Sequence, residues 1–242
     1  VNFNRDLGPD FIKSEVGRKL AYLHREIVPF APALLVEIDR ALRSGKKGAG
    51  NRESGYPIDV DGAPKLFVRR SMRGGWMRFM GDRYLGFVPR MVHELKVISE
   101  ARKRGVPVPE PMGALVEKVG PAIYRGALLT KAIPGMTMWD FVKTETDPRS
   151  LNHVVRMARH SIDMMHEQGL IHDDLNLNNL YVSMASDAFS VVILDFDKAR
   201  LLSRPVPRLL RKRSLKRLAE SIRKLDSEAR YLDDAALKIM TA

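Results

Sequence analysis

The chain has 242 residues, 45% hydrophobic and 29% charged, a balance that supports one large domain or two lobes with cores of their own. Cysteine is absent, which excludes disulfides and thiolate metal sites, and no apolar run reaches the ~18 residues needed to span a bilayer. The net charge of +12 points to anionic partners: nucleic acid, an anionic membrane leaflet or a phosphorylated substrate.

Val1-Asn2-Phe3-Asn4-Arg5 has no secretory apolar region, and the lack of cysteine fits a cytoplasmic protein. Residues 10–43 mix apolar and charged positions and are expected to contain helix, so residues 1–44 read as an N-terminal helical extension. Gly45, Gly48, Gly50 and Gly55 lie in a loop-like stretch that ends in a short strand near Tyr56–Val60. Backbone N–H groups of such a segment suit nucleotide phosphates, and a plain surface loop has the same composition. Asp61-Gly62 signals a hairpin turn into Lys65-Leu66-Phe67-Val68-Arg69. Arg73-Gly74-Gly75-Trp76-Met77-Arg78-Phe79-Met80 interleaves cations with large apolar groups. That pattern suits stacking on nucleic acid, insertion at a lipid interface, or a tuck beneath the small lobe.

Met91, Leu95 and Ile98 recur at helical spacing, predicting a helix over 90–104 that stops at Gly105. Pro107, Pro109 and Pro111 then require an extended chain. Ile123–Leu129 reads as a buried strand, broken after Pro134-Gly135. Asp147 is the expected N-cap of the clearest helix, with Pro148 at its first position and Gly169 as its stop. Its apolar stripe is Leu151, Val154, Val155, Ala158, Ile162 and Met165. The resulting order is a β-rich small lobe over 45–132, a connector near 130–136 and a helical lobe over 133–242.

That last helix leads into Ile171-His172-Asp173-Asp174-Leu175-Asn176-Leu177-Asn178-Asn179, followed by Val191-Val192-Ile193-Leu194-Asp195-Phe196-Asp197. Two carboxylates and an amide on turns beside apolar strands are what ATP-dependent phosphoryl transfer needs. The two stretches have the form of a kinase catalytic loop, H-x-D-L-x-x-x-N, and a relative of the D-F-G turn. Asp174 is the candidate base that accepts the proton of an attacking hydroxyl. Asn179 and Asp195 are the candidate Mg²⁺ ligands. A buried carboxylate at a strand end is costly without a cation, which favours a metal at Asp195. His172 is expected to hold backbone, with Asn176 and Asn178 supporting the loop. Asp173 stands where many protein kinases carry an arginine that reads a phosphorylated loop, which argues against activation of that kind. Asp197 suits either metal assistance or a turn cap.

Lys65, Arg69 and Arg70 are the candidate cations for the nucleotide phosphates, and Arg69 with Glu94 on the following helix is the preferred pair. Lys131, in the connector, is grouped with them as nucleotide-binding. Residues 204–224 hold nine Lys/Arg against Glu220 alone. Leu215, Leu218, Ile222 and Leu225 form a stripe opposite Lys216, Arg217, Arg223 and Lys224, as in a helix that lies on an anionic membrane or packs with its basic face in water. Only 47 residues follow Asp195, too few for the helical subdomain that grips a peptide, so a small or membrane-presented acceptor is expected.

The chain resembles the bacterial lipopolysaccharide-core sugar kinases, the Kdo kinase/heptose kinase family. The resemblance runs over about 60–235, through Leu66–Gly75, Gly81–Leu85, the Glu94 helix with Gly105–Pro109, Leu128–Gly135, His172–Asn179, Asp195–Arg200 and Ser214–Leu225. D-F-D-K-x-R after H-x-D-L-N-x-x-N is its most specific element. It implies an α+β, bilobal protein-kinase-like fold with a β-rich N-lobe and a short helical C-lobe. It also implies ATP-dependent phosphorylation of 3-deoxy-D-manno-octulosonic acid (Kdo) on a lipid A precursor at the cytoplasmic face of the inner membrane. A lipid-linked sugar is then the partner, and nucleic acid is disfavoured. A RIO-like protein kinase, an aminoglycoside- or choline-type phosphotransferase, and a pseudokinase scaffold are the alternatives, the last raised by Arg69 where kinases use lysine.

Overall fold

The computed structural model describes residues 7–43, 55–70, 84–85, 89–121, 123–184 and 189–241. The chain divides into two compact units, Val1–Ser99 with Glu110–Ala132, and Glu100–Pro109 with Ile133–Ala242.

The first unit begins with strands β1 (Phe11–Val16) and β2 (Lys19–His24), which pair antiparallel about the turn at Gly17. The helix expected within residues 10–43 is α1 (Ala31–Arg43), reached through a 3₁₀ turn at Arg25–Phe30, whereas the residues before it are strands and not a helical extension. The reason is tertiary. β2 lies between β1 and β6, and buries Leu20, Tyr22 and Leu23 there, so sheet pairing overrides a locally ambiguous pattern. Residues read as a helical extension are thus part of the sheet.

Strands β3 (Gly55–Ile58) and β4 (Leu66–Arg70) pair antiparallel as expected, although their connection is longer than a two-residue hairpin. Within it Gly62 adopts φ +75° and Ala63 N–H donates to the Val60 carbonyl at 3.0 Å. Next come β5 (Tyr84–Leu85), α2 (Arg90–Lys103), β6 (Pro111–Gly120) and β7 (Ile123–Lys131). The sheet order is β1-β2-β6-β7-β4-β3, with β5 also on β7.

Alternation along the strands assigns the two sheet faces. Leu66, Val68 and Leu129 pack with Leu34 and Ile38 of α1, together with Leu23, Ile27 and Ile58. A recess of about 500 Å³ remains beneath α1, lined by Ala21, Leu35, Ile38, Leu42, Leu115 and Arg70 among others. The opposite face receives α2, whose Met91 side chain lies against Gly126 of β7.

In the second unit, residues 106–109 are extended, and the Pro107 carbonyl accepts the Ile193 N–H at 2.8 Å. The elements that follow are β8 (Gly135–Thr137), α3 (Met138–Thr144), α4 (Pro148–Glu167), β9 (Leu170–Ile171), a 3₁₀ turn at Leu177–Asn179, β10 (Leu180–Ser183), β11 (Ser190–Ile193), β12 (Arg200–Leu201), α5 (Arg208–Leu225) and α6 (Asp234–Thr241). Asp147 caps α4 by accepting the N–H groups of Arg149 and Ser150 at 3.2 and 3.0 Å. Gly169 ends that helix at φ +80°, where a side chain would also strike the Leu202 and Arg204 carbonyls. The Leu215, Leu218 and Ile222 stripe of α5 is buried in this unit, leaving Lys216, Arg223 and Lys224 exposed. No helix among the described residues is long and apolar enough to cross a membrane.

His166, in the last turn of α4, is buried, and its Nε2 makes no hydrogen bond. Burial, reinforced by Arg211, pushes its pKa down to about 4 from an ordinary 6.5. The unfolded chain takes up that proton first, so stability is lost as pH falls from about 6.5 towards about 4. Urea titrations across this range should show that loss in the wild type and a shallower pH slope in His166→Leu. Equal slopes would place the histidine's protonated form in water.

Candidate active site

The turn after β9 carries the residues with chemistry. β9 pairs with β12, setting Ile171 opposite Arg200, while β10 and β11 form a hairpin that ends just before Asp195. His172, which is 2% exposed, joins the two. Its Nε2 lies 2.9 Å from the Leu194 carbonyl and its Nδ1 lies 3.2 Å from the Asp174 N–H. A carbonyl only accepts and an amide N–H only donates, so the ring is the neutral tautomer with its proton on Nε2. Phe196 packs edge-on against the same ring at 5.7 Å. The histidine thus ties the backbone of Asp174 to the residue preceding Asp195, the structural role its position suggested.

The Asp174 carbonyl accepts two side-chain amides, from Asn176 at 2.9 Å and Asn179 at 2.8 Å. Asn176 in turn accepts the Asn178 N–H, and the Asn179 carbonyl accepts the Leu194 N–H, at 2.9 and 2.8 Å. One hydrogen-bonded set therefore holds Asp174, Asn179 and the approach to Asp195. Because the Asn179 amide nitrogen is used within the loop, its Oδ1 is the end that remains for a cation. Asp195 adopts φ +66°, a left-handed conformation uncommon outside glycine and characteristic of functional turns. A carboxylate and an amide oxygen are hard donors of the kind Mg²⁺ takes, so Asp195 and Asn179 are chemically suited to hold that ion. Among the described residues no three His, Asp or Glu side chains form a metal cage. Asp197 lies in a turn closed by the Ala199 N–H on the Phe196 carbonyl at 3.0 Å.

Two arginines escaped the sequence reading as partners of this turn. Arg200 reaches the Asp173 carboxylate at 3.3 Å, and Arg217 of α5 donates to the Asp173 backbone carbonyl with its guanidinium 3.9 Å from the carboxylate. Arg200 closes the D-F-D-K-x-R stretch, so its signal is local to the motif. Arg217 was visible only as one cation of a basic helix, because its partner lies 44 residues away.

In the first unit, the Arg69 guanidinium bonds to the Glu94 carboxylate, which is 1% exposed. Strand alternation decides between the neighbouring arginines: Arg69 points to the α2 face and Arg70 to the recess beneath α1. Lys65 pairs with Asp59 at 3.2 Å on the surface. Lys131 pairs across the sheet with Leu66, which places it on the α1 face, opposite Arg69. Its ammonium lies 3.6 Å from Glu110 and 3.8 Å from Glu26, so the structure does not bring it to the Arg69–Glu94 pair. The Gly45–Gly50 glycines and Arg73–Met80 lie outside the described residues, and Gly55 opens β3.

The model of the lipopolysaccharide kinase (Kdo/WaaP) family matches residues 50–236. This chain belongs to that family. A 3-deoxy-D-manno-octulosonic acid kinase of Xylella fastidiosa (strain 9a5c) is 31% identical over 184 residues, covering 74% of this chain and 70% of that protein. The same enzyme of Vibrio cholerae serotype O1 is 31% identical over 109 residues, covering 45% and 44%. A solved structure titled WaaP in complex with acyl carrier protein superposes with a TM-score of 0.53 at 18% identity, over 87% of this chain and 92% of that one. That likeness shows the fold, which is protein-kinase-like. As a member of the family the chain is an ATP-dependent lipopolysaccharide sugar kinase, and these relatives do not favour the RIO-like, small-molecule phosphotransferase or scaffold readings.

Glu94→Ala removes the buried carboxylate that answers the Arg69 guanidinium and should cost about 3–5 kcal/mol in urea unfolding. The double variant Arg69→Met/Glu94→Leu should recover most of that stability without restoring activity. A single-variant loss under about 1 kcal/mol would mean that the pair is effectively solvated.

Proposed function

We propose that this chain transfers the γ-phosphoryl group of ATP to a hydroxyl of Kdo on a lipid-linked lipopolysaccharide precursor, with Asp174 as the base. The observation that carries the reading is the hydrogen-bonded set around Asp174, Asn179 and Asp195. Asp174 accepts the proton of the sugar hydroxyl and aims its oxygen at phosphorus. Asn179 Oδ1 and the Asp195 carboxylate hold Mg²⁺. When bound, the ion neutralises charge on the β- and γ-phosphate oxygens. Arg69 presents its planar fork to the nucleotide phosphates, and Glu94 keeps that fork from swinging away. Lys131 stays with Glu26 and Glu110 in this scheme. Kdo as acceptor is supported by the relatives, whose printed activity is that of Kdo kinases.

The exposed cations of α5 support peripheral attachment at the cytoplasmic face of the inner membrane. Its apolar stripe is buried within the unit, so the contact is electrostatic, each cation contributing about 1 kcal/mol near anionic lipid.

Asp174→Asn should lower kcat by about 10²–10⁴-fold while ATP binding survives. Turnover close to wild type would remove the base assignment. The acceptor is tested with γ-phosphate-labelled ATP and three substrates: Kdo-lipid A, lipid A lacking Kdo, and a heptose-bearing core. Label is expected on the first; label confined to the heptose would transfer the proposal to that sugar.

A further inference from the structure

The peptide group joining Asp173 to Asp174 is held at both ends. Its N–H, that of Asp174, donates to His172 Nδ1 at 3.2 Å. Its carbonyl, that of Asp173, accepts from the Arg217 guanidinium. The next carbonyl, that of Asp174 itself, is fixed by Asn176 and Asn179. Three of these four anchors come from the loop and its own motif. The fourth comes from α5, 44 residues further along the chain.

We infer that Arg217 is a positioning residue for catalysis: by holding the Asp173 carbonyl it sets the plane of the peptide that carries the Asp174 side chain towards the acceptor hydroxyl. The inference rests on Asp174 being the base. Three features make the contact more than surface decoration. A charged donor on a carbonyl is stronger than a neutral one, so it resists rotation of the peptide. The Arg217 side chain is 41% exposed, so it is not filling the core of the unit. The neighbouring Asp173 carboxylate, 3.9 Å away, biases the guanidinium towards this position. Arg200, 3.3 Å from the same carboxylate, shares that anion without touching the carbonyl. The basic helix therefore does two separable things. Its outward cations meet solvent, and Arg217 turns inward to orient the catalytic loop.

The rate of in-line transfer falls steeply when a reacting group is displaced by about 1 Å, by about 10²-fold. Arg217→Ala should therefore lower kcat by about 10- to 10²-fold with little change in the KM for ATP. Arg217→Gln, which retains an N–H donor without the charge, should recover much of that loss. Glu220→Gln, which removes an exposed charge from the same helix, should leave kcat unchanged. Melting temperatures identify any variant that fails to fold; if Arg217→Ala is one, Arg217→Gln and Arg217→Lys carry the comparison. Added guanidinium ion at millimolar concentration should partly restore Arg217→Ala and leave Glu220→Gln unaffected. Wild-type kcat in folded Arg217→Ala, or an equal loss in Glu220→Gln, would overturn the inference. Asp174→Asn separates this from the wider reading. If that variant is inactive and Arg217→Ala is not, only the positioning role fails. If Asp174→Asn is active, the base assignment fails whatever Arg217 does.

Discussion

The neutral His172 ring is the constraint on which the site depends. It accepts a hydrogen bond from the turn that bears Asp174 and donates one to the carbonyl just before Asp195. Without that bridge Asp174 and Asp195 would sit on two loops with independent mobility. With it, and with the Asn179 amide closing the same loop, Asp174, Asn179 and the approach to Asp195 share one backbone framework. The left-handed turn at Asp195 is the local strain this framework sustains.

The first unit solves a different problem, presenting one cation reliably from a strand. Arg69 and Arg70 are adjacent in sequence, and the two-residue alternation of β4 sends them to opposite faces of the sheet. Only one meets α2. The same rule moves Lys131 to the face away from Arg69, where two carboxylates already hold it. A buried carboxylate such as Glu94 is costly unless a cation answers it, so the pair is mutually enforcing. An arginine suits that pairing, because the guanidinium stays charged under all ordinary conditions and offers several donors in one fixed plane.

The excess positive charge has a similar double character. Most of it lies on α5 and the approach to it, and its solvent-facing part suits the anionic surroundings of a lipopolysaccharide precursor. Part of it is structural, since Arg200 and Arg217 answer Asp173 beside Asp174. Asp173 thus acquires a purpose that its position alone did not reveal: it is an internal counter-ion, in a place where many protein kinases have an arginine.

Much was legible in the chain itself. Helix α4 carries its cap, stripe and stop within one contiguous segment, and H-x-D-L-N-x-x-N with D-F-D announces phosphoryl transfer because the chemistry needs those groups at those short spacings. These are local signals, set by residues within a few positions of one another. The β1–β2 hairpin, the choice of Arg69 over Arg70, the isolation of Lys131 and the reach of Arg217 to Asp173 are different in kind. Each depends on which strand or helix lies alongside, through contacts spanning tens of residues, and no local pattern encodes such a neighbour. The short motifs therefore carried the class of reaction, while the folded chain decided which faces meet and so which charges belong together.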